Sequence, residues 1–354
     1  MSNHALLALV LLATSGCSRE LAAPRPPEAP KPPGPPEDDG PITAAERTAV
    51  IDALAAALEQ HYVFADKAVL VDKALHDHLA RGDYTKLASA NAFAETVTAD
   101  MRALVHDKHL EIRYFAEPIG PEQGGEQAAE MQYNNQGIFD VRRMRFNIGY
   151  LNFFAFGDPG PFAEKLAAAM QLVHDTQSLI VDLRECHGGN TDAVTLAESY
   201  LVPANTHLLD MYTRATDTTE RAIAAADLAG PRYGADKPVF VLIGEDTASG
   251  CEAFAYAMQA QKRATVIGAN SAGAAYFGDP RRLTDHFMAF VPVGRPIDPI
   301  THGDWEGTGV TPQIVVAPEK ALGVAERKSL QILESRETSQ RRKGAMRKRI
   351  AELN

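Results

Sequence analysis

One serine in this sequence stands between an apolar run and a helix-like one. The stretch reads EDTASGCE, Glu245 to Glu252. Val239 to Ile243 precede it, and Phe254, Ala257, Met258 and Ala260 follow with the spacing of one buried helical face. A serine so placed can do two things. It can cap the helix, serine being a favoured N-cap, and Thr247 can cap instead. Or Ser249 can be a nucleophile, because the first N–H groups of a helix lack intrahelical partners and can hold a developing oxyanion. Gly250 beside it lets a substrate approach the backbone closely.

A serine hydroxyl needs a base. The chain offers eleven histidines. His109, in HDKHLEIRYF, lies where a helix-like stretch gives way to a strand-like one. A helix C-terminus favours the charged imidazole, which suits a group that must accept a proton. The competing reading is an exposed cap. His187 is a second candidate, next to Gly188 and Gly189 in DLRECHGGN. That glycine pair can aim an amide into a cleft as an oxyanion donor, or simply make a tight turn. Glu306, in DWEGTGV, can orient a histidine or sit in a surface turn. Asp182 and Arg184 read as an ion pair bracing their loop. Cys17, Cys186 and Cys251 lack ligand-like spacing, and neither H-E-x-x-H nor a phosphate-binding glycine loop occurs, so no metal and no cofactor is expected. Cys186 and Cys251 fall in the two candidate loops, as a disulfide or as buried thiols. Cys251 lies inside the first helical turn, a poor place for a nucleophile.

These residues need a frame. TAAE, Thr43 to Glu46, reads as a capping box, and Val50, Ala53, Leu54, Ala57 and Leu58 follow as a buried helical face. Helical patterning continues over Asp66 to Leu79 and Ala92 to Val105, broken by RGDY at Arg81. Residues 43–113 thus form a small N-terminal helical domain. Glu117 to Glu126 is a loop by composition. From Asn147 continuous apolar runs alternate with helical segments, interrupted by a polar, Thr-rich stretch before PVFVLIG. Such runs imply a sheet covered on both faces, an α/β catalytic domain over 130–335. The loops after Leu183 and Ile243 then leave the carboxyl ends of strands, where active residues gather in open α/β sheets.

The 354 residues are 45% apolar, with a net charge of -11 that argues against nucleic-acid binding. Residues 336–354 are basic, reading as a solvated helical tail or as a weak attraction to anionic lipid. Residues 1–17 resemble a lipoprotein-type signal peptide ending at Cys17, which would then be acylated. Residues 18–42 hold a proline-rich linker, an extended spacer. The expected location is outside the cytoplasm, in the bacterial cell envelope (periplasm), tethered to the membrane by a lipid anchor.

Taken in order, EQHYVFADKA, DKHL, SLIVDLRECHGGN, TASGCEAFAYAMQAQKRATVIG and DWEGTGVTPQIVV resemble the tail-specific, or C-terminal processing, serine peptidase family. The likeness runs from about Thr43 to Ala325 and is greatest to the branch of interphotoreceptor retinoid-binding protein and the tricorn protease core. It implies a crotonase-like (ClpP-like) sheet-and-helix core and a peptide or protein substrate. It also implies Ser249 as nucleophile, His109 as base, Glu306 as acidic member, and oxyanion donors at Gly250 and the Gly188–Gly189 loop. The stretch between His109 and the core is too short for a PDZ module. Three positions depart from the family. The turn that carries a catalytic lysine in many members reads SAGA, with Ala274 at the lysine position, so a Ser–Lys dyad is excluded. Cys186 replaces the usual Asn, and Lys108 stands where tricorn has a serine. The expectation is an exported serine peptidase working through an acyl-enzyme. The alternatives are a non-catalytic binding protein for an apolar ligand or peptide, and an esterase with the same triad.

Overall fold

A computed structural model describes residues 39–120 and 124–353, the side chains of 124–127 excepted. The signal peptide, Cys17 and nearly all of the proline-rich segment lie outside the described residues. Three helices come first: α1 (Ala44–His61), α2 (Ala65–Arg81) and α3 (Ala90–Val105). The expected capping box opens α1. Thr43 N–H donates to Glu46 Oε2 at 2.8 Å, and Glu46 N–H donates to Thr43 Oγ1 at 3.2 Å. Gly82, with φ 75, closes α2 at the predicted break. Then follow β1 (Glu111–Tyr114), α4 (Gly124–Tyr133), β2 (Ile138–Met144), β3 (Ile148–Phe153), α5 (Pro159–Val173), β4 (Ser178–Asp182) and α6 (Thr191–Ser199). Helix α4 therefore begins inside the stretch read as a loop. The remainder is β5 (His207–Thr213), β6 (Thr218–Ile223), β7 (Val239–Ile243), α7 (Gly250–Ala260), β8 (Thr265–Gly268), β9 (Phe277–Arg282), β10 (Phe287–Ile297), β11 (Ile314–Val315), α8 (Pro318–Arg336) and α9 (Gln340–Glu352).

The central sheet has the order β11-β8-β7-β4-β3-β2, parallel except for β2. Its apolar runs divide by parity, as a strand covered on both faces must. Leu179, Val181, Val239, Val241 and Ile243 face a core shared with Phe162 of α5, Val194 of α6 and Phe254 of α7. Ile180, Phe240 and Leu242 face the other way, against Ala321, Ala325 and Leu330 of α8 and Met346 of α9. The α/β reading holds.

Two features differ from expectation. The Thr-rich interruption holds the β5–β6 pair, part of a second, antiparallel sheet ordered β1-β10-β5-β6 with β9 on β10. Strand β10 turns Phe287, Ala289 and Val291 into the same core as α1, α2 and α3. The N-terminal helices are thus built onto this sheet rather than around a core of their own. The basic C-terminal stretch is no free solvated tail: α9 packs on α8, Met346 is buried, and Arg349 grips Glu326 through two bonds of 2.8 and 2.9 Å.

Candidate active site

Strand β7 ends buried, and six residues later Ser249 stands at the N-cap of α7 with φ 53 and ψ -121. A positive φ is uncommon for a residue with a side chain and stores of order 1 kcal/mol or more. Surrounding contacts hold it there. The serine N–H donates to Glu252 Oε2 at 2.9 Å, and Ala248 N–H donates to Cys186 O at 2.9 Å. Thr247 does not cap the helix. It pins the loop, donating to Leu183 O at 2.7 Å while accepting Gly244 N–H at 2.9 Å. Ser249 therefore occupies the N-cap position of α7, its side chain half-exposed at the helix head.

The glycine loop lies against this serine. A Cβ on Gly188 would come 2.8 Å from Ser249 Cβ, and one on Gly250 would come 3.4 Å from Gly189 N. The N–H groups of Gly189 and Gly250 donate to no acceptor among the described residues, so both remain available to an oxyanion. Gly188, also expected as a donor, is not available. Its N–H donates to Cys251 Sγ at 3.0 Å, and its part is close packing against Ser249. Cys186 and Cys251 form a disulfide joining the two loops, with Cα atoms 5.9 Å apart. Arg184 pairs with Asp182 at 2.7 Å and donates to Pro318 O at 2.8 Å, the expected brace.

His109 follows α3 and a buried aspartate. Asp107 Oδ1 accepts the N–H groups of His109 at 3.0 Å and Leu110 at 3.2 Å, fixing the direction in which the chain leaves the helix. The imidazole lies 5.5 Å from the Phe290 ring, and its Nδ1 is buried with no partner. Burial, helped by Arg102, pushes its pKa down to about 4. That reverses the expectation of a charge-favouring helix end: desolvation outweighs the dipole three residues beyond His106, the C-cap. His187 is exposed, and among the described residues no side-chain hydrogen bond engages its ring.

Glu306 does not bond the imidazole. Its carboxylate accepts three backbone N–H groups, from Lys108 at 2.8 Å, Ala275 at 2.6 Å and Tyr276 at 3.1 Å. Burial pushes its pKa up to about 7, and the charge of Asp107 adds to the rise. Nor does a hydrogen bond join the Ser249 hydroxyl to His109 among the described residues.

What links serine and histidine is the turn around Ala274. From the serine side, Glu252 accepts Gly273 N–H at 2.7 Å, Ala274 N–H at 2.9 Å and the Ser271 hydroxyl at 2.5 Å, besides Ser249 N–H. From the histidine side, Glu306 takes the next two amides and Lys108. Glu252, buried, and Glu306, half-buried, thus clamp one turn and tie His109's neighbour to Ser249. The sequence reading passed over Glu252 as a functional residue, although the S-x-x-E spacing of a capping box was visible. It also passed over an aromatic wall beside the clamp, where Phe64 meets Tyr276 at 5.3 Å and Tyr62 at 6.0 Å.

No cluster among the described residues could hold a metal ion. A cleft of about 650 Å³ is lined by Lys262, Arg263, Lys328 and Arg336 at the starts of β7 and β8, the opposite end from Ser249.

Two family models match the chain. Residues 147–316 match peptidase family S41, and residues 43–140 match the N-terminal domain of peptidase S41 in eukaryotic IRBP. Among solved structures, a lipoprotein from Streptococcus agalactiae gives a TM-score of 0.54 at 15% identity, covering 84% of this chain and 98% of that one. A candidate peptidase from Parabacteroides merdae ATCC 43184 gives 0.53 at 18% identity, covering 77% and 90%. At such identities the likeness speaks for the fold.

Proposed function

The chain belongs to peptidase family S41 and is a serine-type peptidase, and from that premise we propose that it cleaves peptide bonds through Ser249, His109 and Glu306. Ser249 Oγ attacks the scissile carbonyl. His109, kept neutral by burial, takes the hydroxyl proton and returns it to the leaving amine. The N–H groups of Gly189 and Gly250 hold the oxyanion, and water then releases the acyl group. Contacts between nucleophile and base often tighten only when substrate binds, and the step requires the Ser249 hydroxyl to come within hydrogen-bond reach of His109. Glu306 acts on the base through the Lys108 amide. The observation that carries this reading is Ser249 in a strained backbone at a helix head, with two unengaged amides beside it.

The address completes the proposal. The leader-like residues 1–17 and Cys17 support an exported, lipid-anchored protein of the bacterial cell envelope, and a buried disulfide suits an oxidising compartment. No helix of the described residues is long and apolar enough to cross a membrane.

A fluorophosphonate probe and a panel of unfolded proteins test the activity. The wild type is expected to be labelled at Ser249 and to cleave the panel, and Ser249→Ala and His109→Ala to do neither. A folded wild type that stays unlabelled and cleaves nothing would instead favour the non-catalytic ligand holder, which the open Ser249–His109 contact also fits.

A further inference from the structure

Resting on the serine-peptidase reading above, we propose that the Cys186–Cys251 disulfide positions the oxyanion loop, so that the enzyme is fast in its disulfide form and slow in its dithiol form. The bond lies between the two candidate donors. Cys186 stands three residues before Gly189, and Cys251 directly follows Gly250. Most ties between the two loops run through these cysteines: the disulfide itself, Gly188 N–H to Cys251 Sγ at 3.0 Å, and Ala248 N–H to Cys186 O at 2.9 Å.

Breaking the bond cannot leave this arrangement in place. Bonded sulfurs lie about 2 Å apart. Non-bonded heavy atoms rest at about 3.5–4 Å. Both cysteines are 0% exposed and lie within the packed core, so separating the sulfurs presses on their neighbours. One loop must move. Gly188 packs so closely on Ser249 that a shift of residues 186–189 carries the Gly189 amide away from the nucleophile. Losing one oxyanion donor lowers kcat by about 100- to 1,000-fold, and displacing one is expected to cost about 10- to 100-fold. Closing the bond removes two protons and two electrons from the thiols. A disulfide oxidant accepts them and leaves as two thiols, which ties full activity to an oxidising compartment.

The test equilibrates the wild type across glutathione redox buffers, counts the oxidised fraction by thiol alkylation and mass spectrometry, and measures fluorophosphonate labelling at Ser249. In parallel, kcat and KM on a small ester are compared with those of Cys186→Ala/Cys251→Ala, with circular dichroism reporting the fold. Labelling should track the oxidised fraction, and kcat should fall about 10- to 100-fold while KM stays within about twofold. The double variant lacks the bond but also the two sulfurs that crowd each other, so its labelling should fall between the disulfide and dithiol forms. Equal labelling of disulfide and dithiol forms would overturn the proposal. So would unfolding of both the dithiol protein and the variant, which would make the bond a staple only. An oxidised wild type that is not labelled at all sinks the peptidase reading together with this one.

Discussion

His109 and Glu306 are moved in opposite directions by the same cause, burial. The imidazole falls from 6.5 to about 4 and the carboxyl rises from 4.5 to about 7. In catalysis the labelling rate at Ser249 should rise with pH through about 4, as the base loses its proton, and again through about 7, as Glu306 ionises. Glu306→Gln should keep the lower rise and lose the upper one. The signs for stability follow from which state binds more protons. His109 has a depressed folded pKa, so its contribution is present above 6.5 and lost as pH falls toward 4. Glu306 has a raised folded pKa, so its contribution is present below 4.5 and lost as pH rises through 7. Urea midpoints should therefore show the wild type gaining on Glu306→Gln at pH 5 relative to pH 8. An equal difference at both pH values would contradict the buried, protonated carboxyl.

The turn clamped by Glu252 and Glu306 is the element on which the site's geometry depends. Glu252→Ala would leave four donors at a buried position without their acceptor, an expected loss of at least about 2–3 kcal/mol, read as a lower urea midpoint together with loss of labelling. Gly189→Ala would put a Cβ 2.1 Å from Phe156 O at a φ of 133, and should likewise lower the midpoint and the labelling rate. The parts of this scale that were legible in the sequence are local. The continuous run of β7, the cap at Thr43 and the stop at Gly82 each depend on a few adjacent residues. The rest has no local trace. Glu306 meets Lys108 across 198 residues, and the disulfide spans 65. Strand β6 is exposed along nearly all its length, so it shows no alternation to read. Backbone amides accepted by a carboxylate leave no mark on the identity of the residues that donate them. The Glu306 contacts are accordingly invisible in the sequence, which offers Glu306 only as an acid that can orient a histidine.

At the scale of the whole molecule, the sheet has a catalytic side and a supporting side. Helix α7, with the proposed nucleophile Ser249 at its head, packs on one face, and α8 with α9 covers the other. Half of the basic residues of the C-terminal helix hold it in place, with Arg342, Arg347 and Arg349 paired to Glu337, Glu334 and Glu326. A chain ended at Arg336 loses the buried Met346, by itself worth about 2 kcal/mol. It should melt lower and bind a dye for exposed apolar surface. Its labelling rate at Ser249 should stay near that of the wild type while it remains folded. An unchanged melting temperature would return the C-terminal helix to the role of a solvated tail.

The central claim is that Ser249 becomes acylated with His109 as its base. Its most direct test is the intact mass of the protein, quenched in acid moments after mixing with an activated ester. The wild type is expected to gain one acyl group, mapped to Ser249, and Ser249→Ala and His109→Ala to gain none. Acylation elsewhere, or equal acylation of the three folded proteins, would contradict it.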